Sequence, residues 1–247
     1  MYHLTGVTKD YRRGGELVRA LDGVAFSVAD GTALAVQGPR GAGASTLLRI
    51  LGGLERPTRG SVLLDGTDLA TVTASRLGRI RAESIGLIGS GDGDDPGPLA
   101  GLTVRQGVAA ALAPLRLRPA DRWELAGDAL AEVGLSARGD LLPGQLDRYA
   151  RRRAALARAL VKRPTVLLAD RPTAGLPPSA RAEFTELLVR VWGEYRLTCV
   201  VATDDEALAG RAARRLVLAG GRVVAAGRVA GSGRSGATSW CPRGAGR

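Results

Sequence analysis

Residues 38–46 read Gly38-Pro39-Arg40-Gly41-Ala42-Gly43-Ala44-Ser45-Thr46. Their spacing is that of G-x-x-x-x-G-K-[ST], with Gly38 and Gly43 in place and Ser45 at the hydroxyl position. In that pattern backbone N–H groups surround phosphate oxygens, a lysine reaches the outer phosphates, and the hydroxyl holds magnesium. Ala44 stands where the lysine belongs. The cradle itself needs only glycine flexibility and a helix N-terminus, so phosphate binding stays open while the outer-phosphate cation is missing. A tight strand-to-helix turn is the bland reading of the same residues.

Other chemistry is sparse. His3 is the only histidine, so a histidine-based metal site or triad would rest on one residue near the terminus. Cys199 lies in an apolar run and Cys241 in a polar stretch, which is not a disulfide framework. Asp170 follows the apolar run Val166-Leu167-Leu168-Ala169 and ends a buried strand.

The net charge of +11 comes almost wholly from arginine, since Lys9 and Lys162 are the only lysines. Such charge attracts polyanions or an anionic membrane face. Arginine is abundant together with alanine and glycine, however, which reads as a bias of the whole chain. Aromatic residues are 4%, too few for single-strand stacking platforms. Arg151, Arg152, Arg153, Arg158, Lys162 and Arg163 concentrate on one predicted helix, 148–162. Arg148, Arg152 and Lys162 cannot all share a narrow face, so that helix reads as solvated. No apolar run approaches 18 residues, so nothing spans a membrane alone, and the start lacks a secretion signal. A cytoplasmic chain is expected.

The elements that must position these residues alternate. Strands are expected before residue 37, including 24–28 and 33–36, followed by the glycine loop and a helix over 45–54. Further strands are expected at 61–64, 166–169 and 199–202, helices at 148–162 and 179–192, and a closing hairpin at 216–218 and 223–225 over Gly220-Gly221. Residues 103–135 read as two helices broken near Pro119. Residues 89–101 are rich in glycine, aspartate and proline and oppose both helix and strand. Alternation of this kind gives an α/β fold with a mainly parallel sheet covered on both sides. A helical subdomain is inserted at about 100–150. The domain is expected over 1–229, with 230–247 a disordered tail.

Several segments in order, Ala20 to Val24, Gly38 to Leu54, Pro57 to Gly60, Ala155 to Leu160 and Leu167 to Thr173, resemble the ATP-binding subunits of ABC transporters. The resemblance is to the lipoprotein-release and macrolide-export branch and runs from about Tyr2 to Val224. It implies a P-loop NTPase-like fold with an antiparallel β subdomain, ATP and magnesium as cofactors, a membrane permease as partner, and a dimer with itself or with another ATP-binding subunit. It implies a place at the inner face of the cell membrane.

The resemblance also assigns positions. Tyr11 matches the aromatic that stacks on adenine, its other reading being an ordinary half-buried strand tyrosine. Ser45 and Asp170 match the magnesium-holding residues. Arg171 stands where a glutamate would activate the attacking water, and an arginine stays protonated and cannot act as a base. Ser90 falls at the family's γ-phosphate-sensing glutamine, Asp204 at its switch histidine, and Pro177 at an aspartate that communicates across the dimer. Leu146-Asp147-Arg148-Tyr149-Ala150 replaces the signature Leu-Ser-Gly-Gly-Gln. A lost charge-assisted hydrogen bond costs roughly 1.5–3 kcal/mol. Loss of a positioned general base costs about 10²–10⁴-fold in rate. The expectation is a hydrolysis-deficient ATP-binding subunit with a regulatory or structural role beside a permease. The alternatives are an active exporter ATPase with atypical motifs, and a basic scaffold or nucleic-acid-binding module on the same fold.

Overall fold

The computed structural model describes residues 1–89 and 100–229. Ser90, most of the irregular 89–101 segment and the expected 230–247 tail lie outside the described residues.

The chain opens with a long antiparallel hairpin, β1 (Tyr2–Arg13) against β2 (Glu16–Val28). After α1 (Ala44–Leu51), β4 (Arg59–Leu64) pairs with the other edge of β1, and β5 (Thr67–Asp68) pairs with β4. Alternation sets the faces of this sheet: Leu4, Val24, Phe26, Val28, Val62 and Leu64 are buried, whereas His3, Thr5 and Ala25 between them are exposed.

The second sheet contains β3 (Ala33–Gln37), β6 (Ile85–Ile88), β7 (Val166–Asp170), β8 (Thr198–Ala202), β9 (Arg214–Ala219) and β10 (Arg222–Arg228). Its order is β10-β9-β3-β8-β7-β6. All neighbours pair in parallel except β9 with β10. Every residue of β7 and β8 is buried, as a sheet covered on both faces requires. The period of two then divides the interior. Val166, Leu168 and Val200 join the core built on α1 and the antiparallel sheet. Leu167, Ala169 and Cys199 join the core built on α5 (Arg148–Leu160) and α6 (Pro178–Glu194).

The helical insertion is present as expected. α3 (Val104–Ala110) opens with a capping box between Thr103 and Gln106, and α4 (Pro119–Glu132) takes Pro119 in its first turn. A proline is tolerated there because that N–H has no helical acceptor. Val108, Ala126 and Leu130 join the core that holds Leu156 and Leu160 of α5.

Two helices have no counterpart in the sequence reading: α2 (Ala74–Ser84) and α7 (Glu206–Gly210). Of α2 only Leu77 is buried, so it carries no apolar stripe, and its clearest local signal is the Thr73 cap on the Arg76 N–H at 3.3 Å. The expected solvated character of the arginine-rich helix is overturned. No residue from Ala150 to Leu160 is exposed, and Arg152 has 0% exposure. Its guanidinium donates to the carbonyls of Gly89 (3.0 Å) and Ala174 (3.4 Å). Arg151 donates to Leu146, Arg153 to Val133 and Gly134, and Lys162 to Arg81. Arg151, Arg152, Arg153 and Lys162 thus direct their charge at backbone carbonyl oxygens of neighbouring segments.

Candidate functional site

The loop 38–46 leaves the end of β3 and enters α1, and its shape is dictated by what surrounds it. A Cβ on Gly38 would lie 2.4 Å from the Leu218 carbonyl oxygen of β9. Gly43 sits at φ 100°, and a Cβ there would lie 2.3 Å from the Ala20 carbonyl oxygen of β2. Both positions therefore require glycine. Gly43 caps α1 without a side-chain hydrogen bond, and Leu47 N–H returns to the Gly43 carbonyl at 2.8 Å. The N–H groups of Ala44, Ser45 and Thr46 thus belong to the unpaired first turn of a helix, where anions are favoured.

The whole loop, Gly38, Pro39, Arg40, Gly41, Ala42, Gly43, Ala44, Ser45 and Thr46, lines one cleft of about 630 Å³. Tyr11, Asp170, Arg171 and Asp204 line it too. Four chain segments thus converge on one volume, at the carboxyl ends of β3, β7 and β8, where open α/β sheets take their ligands. Ser90 lies outside the described residues. Ala44 supplies a methyl group where the motif has a cation, and Arg40 is exposed on the loop.

Tyr11 is half-buried, and its hydroxyl donates to Glu55 Oε2. Burial and this hydrogen bond raise its pKa. Glu55 also pairs with Arg49 of α1 at 2.6 Å and with Lys9 at 3.5 Å, which ties the antiparallel sheet to the helix behind the loop.

Asp170 is 8% exposed at the end of β7. The next residue turns sharply. Arg171 has φ 49°, its N–H donates to the Ala202 carbonyl at 2.8 Å, and its carbonyl accepts from Ala174 at 3.0 Å. Its guanidinium is ion-paired with Asp204, Nη2 to Oδ2 at 2.7 Å. Arg171, after β7, and Asp204, after β8, therefore pair with each other across the cleft. Close by, Thr173 Oγ1 donates to Asp205 Oδ2 at 3.0 Å, and the other Asp205 oxygen accepts from Ala207 and Leu208 at the start of α7. These two bridges join the loops after β7 and β8. Sequence reasoning missed them because their partners lie more than 30 positions apart (33 for Arg171 and Asp204) with no spacing rule.

In the Leu146 to Ala150 segment, Asp147 caps α5 by accepting from the Ala150 N–H at 2.7 Å. That bond, chiefly, holds its carboxyl below the usual range. Arg148 donates to the Gly175 carbonyl at 2.9 Å, and the Arg153 guanidinium lies over the Tyr149 ring at 4.5 Å. Pro177 caps α6 without a side-chain bond.

The residues present fit a phosphate chain and a divalent cation. The loop is one that only glycine can form, the helix start is uncapped, and Ser45 and Asp170 face the same cleft.

The ABC transporter family profile matches residues 21–174. The chain is 38% identical over 221 residues to the lipoprotein-releasing system ATP-binding protein LolD of Bordetella avium, covering 88% of this chain and 93% of that protein. It is 37% identical over 219 residues to the methionine import ATP-binding protein MetN of Cutibacterium acnes, covering 88% of this chain but only 59% of that protein. The chain thus spans about three-fifths of that importer and nearly all of the lipoprotein-releasing protein. Among solved structures, a dimeric ATP-binding cassette in a post-hydrolysis state bound to ADP and Pi superposes with a TM-score of 0.85 at 30% identity, covering 94% of this chain and 100% of that one. With its profile match, its relatives and its superposition all in one family, the chain belongs to the ATP-binding subunits of ABC transporters, of the lipoprotein-release and macrolide-export type.

Proposed function

We propose that this chain is a nucleotide-binding, hydrolysis-deficient subunit that docks on a membrane permease at the inner face of the membrane. It pairs there with itself or with another ATP-binding subunit. The observation that carries this reading is the Arg171–Asp204 ion pair inside a cleft whose loop keeps Gly38, Gly43 and Ser45 but not the lysine. A guanidinium beside the outer phosphate cannot take a proton from water.

Roles follow residue by residue. Backbone N–H groups of 38–46 surround the phosphates, and the Tyr11 ring covers the adenine. Ser45 and Asp170 would hold magnesium, which supplies charge neutralisation on the phosphate oxygens. Asp147 and Arg148 are engaged within the chain, so the signature segment offers a partner's phosphate few donors. Transport is the process in which its relatives act: lipoprotein release for a protein matched over 93% of its length, and methionine import for one matched over 59%. The substrate is chosen by the permease.

The test is Mg-ATP binding to the purified chain, followed by turnover. Saturable binding with turnover near background is expected. Turnover at ordinary enzyme rates, about 1–10³ per second, would sink this reading and leave an active exporter ATPase. Absence of binding would leave a scaffold.

A further inference from the structure

Arg171 lines the cleft at a place the loop motif does not use. The loop touches β2 through Gly43 on one side, and Tyr11 enters the cleft from the same antiparallel sheet. On the other side the order β3-β8-β7 carries the cleft wall away from the loop, and Arg171 stands at its far end, bonded through its N–H to Ala202 of β8. Tyr11, the loop, Arg171 and Asp204 line one cleft, so a phosphate chain on the loop would share that volume with the Arg171 guanidinium. Ala44 adds no charge there.

We propose that Arg171 is the outer-phosphate ligand of this cleft, and that it leaves the Asp204 carboxylate for the terminal phosphate when a nucleoside triphosphate binds. This rests on the nucleotide-binding reading above and goes further, since it makes the substituted residue a ligand rather than a loss.

The two halves of the ion pair are unequal. The Arg171 side chain is 28% exposed and its backbone is held on both sides, whereas Asp204 is 64% exposed. An exposed pair is held weakly, and the released Asp204 carboxylate returns to water at little cost. A guanidinium on a phosphate can bond with two N–H groups at once, which is the stronger arrangement. Asp204 then acts as a competitor that a triphosphate displaces and a diphosphate, lacking the terminal group, does not. The exchange moves no proton and breaks no covalent bond.

The experiment compares ATP and ADP affinities, with magnesium, for the full chain and three variants. Arg171→Ala should weaken ATP on the order of tenfold or more and leave ADP nearly unchanged, collapsing the preference for ATP. Arg171→Lys should restore part of that preference, because a point charge remains. Asp204→Asn should tighten ATP several-fold, an increase that damage to the fold does not produce. Equal ATP affinity in Arg171→Ala and the parent, or weaker ATP binding in Asp204→Asn, overturns the proposal while nucleotide binding by the parent stands. Failure of the parent to bind either nucleotide overturns both readings together.

Discussion

Ala44 and Arg171 line one cleft: the loop carries a methyl group where the motif has a lysine, and the turn after β7 carries a cation. Restoring the first charge should act on affinity alone. Ala44→Lys is expected to tighten ATP on the order of tenfold, through one charge-assisted hydrogen bond, with turnover still near background because Arg171 remains. Isothermal titration and a phosphate-release assay read the two effects separately. Gly43 sets a second residue-level test. At φ 100° and with the Ala20 carbonyl 2.3 Å from its would-be Cβ, it admits no side chain. Gly43→Ala should cost about 2 kcal/mol or more, seen as a lower thermal midpoint, together with loss of Mg-ATP binding. A stable variant that still bound ATP would show that the loop is only a turn.

At the scale of elements, α5 joins the two loops that matter. Its first turn is capped by Asp147, and its Arg152 reaches the Gly89 and Ala174 carbonyls from within the core. Asp147→Ala should destabilise the fold by about 1 kcal/mol, whereas Asp147→Asn, an equally good cap, should leave stability at neutral pH nearly intact. The sign of the pH dependence follows from the lowered folded-state pKa. The carboxylate's contribution is complete above the unfolded value of about 4 and is lost as acid takes pH down through the lower folded value. Asp147→Asn should remove that acid-dependent part, measured as urea midpoints across the acid range. Arg152→Ala should be costlier, about 3 kcal/mol, because it leaves a hole and two carbonyls short of a donor. A loss below 1 kcal/mol in urea unfolding would show that the buried guanidinium ties nothing together.

At the scale of the molecule, the charge of +11 does not make a nucleic-acid surface on α5. Arg151, Arg152, Arg153 and Lys162 donate to backbone carbonyls, and none of the residues from Ala150 to Leu160 is exposed. Duplex DNA should therefore show no binding that weakens steeply with salt. A log–log slope of several units between about 50 and 200 mM would contradict this. The two cores that meet through β7 and β8 also explain why the loop sits where it does. One side of the sheet holds α1 and the antiparallel strands, the other α5 and α6, and the cleft opens where the buried strands end.

Much of this was legible in one dimension. The apolar runs of β3, β7 and β8, the helix over 148–160, the hairpin β9–β10 and the glycine loop all carry local signals, because period and turn chemistry act between near neighbours. So does the absence of a lysine at Ala44. What only the tertiary structure decided is where charges find partners. Arg171 meets Asp204, Arg152 is enclosed against Gly89 and Ala174, and Lys162 bonds Arg81 across 81 positions. α2 escaped for a related reason, since one buried residue, Leu77, with Ile80 packed beside it, leaves too short a periodic trace. Hydrophobic patterning is additive along the chain, but the partner of a charge is set by which loops the sheet brings together. The sequence alone therefore determined the fold family and the missing lysine, and the folded chain determined that Arg171 meets Asp204 in the cleft.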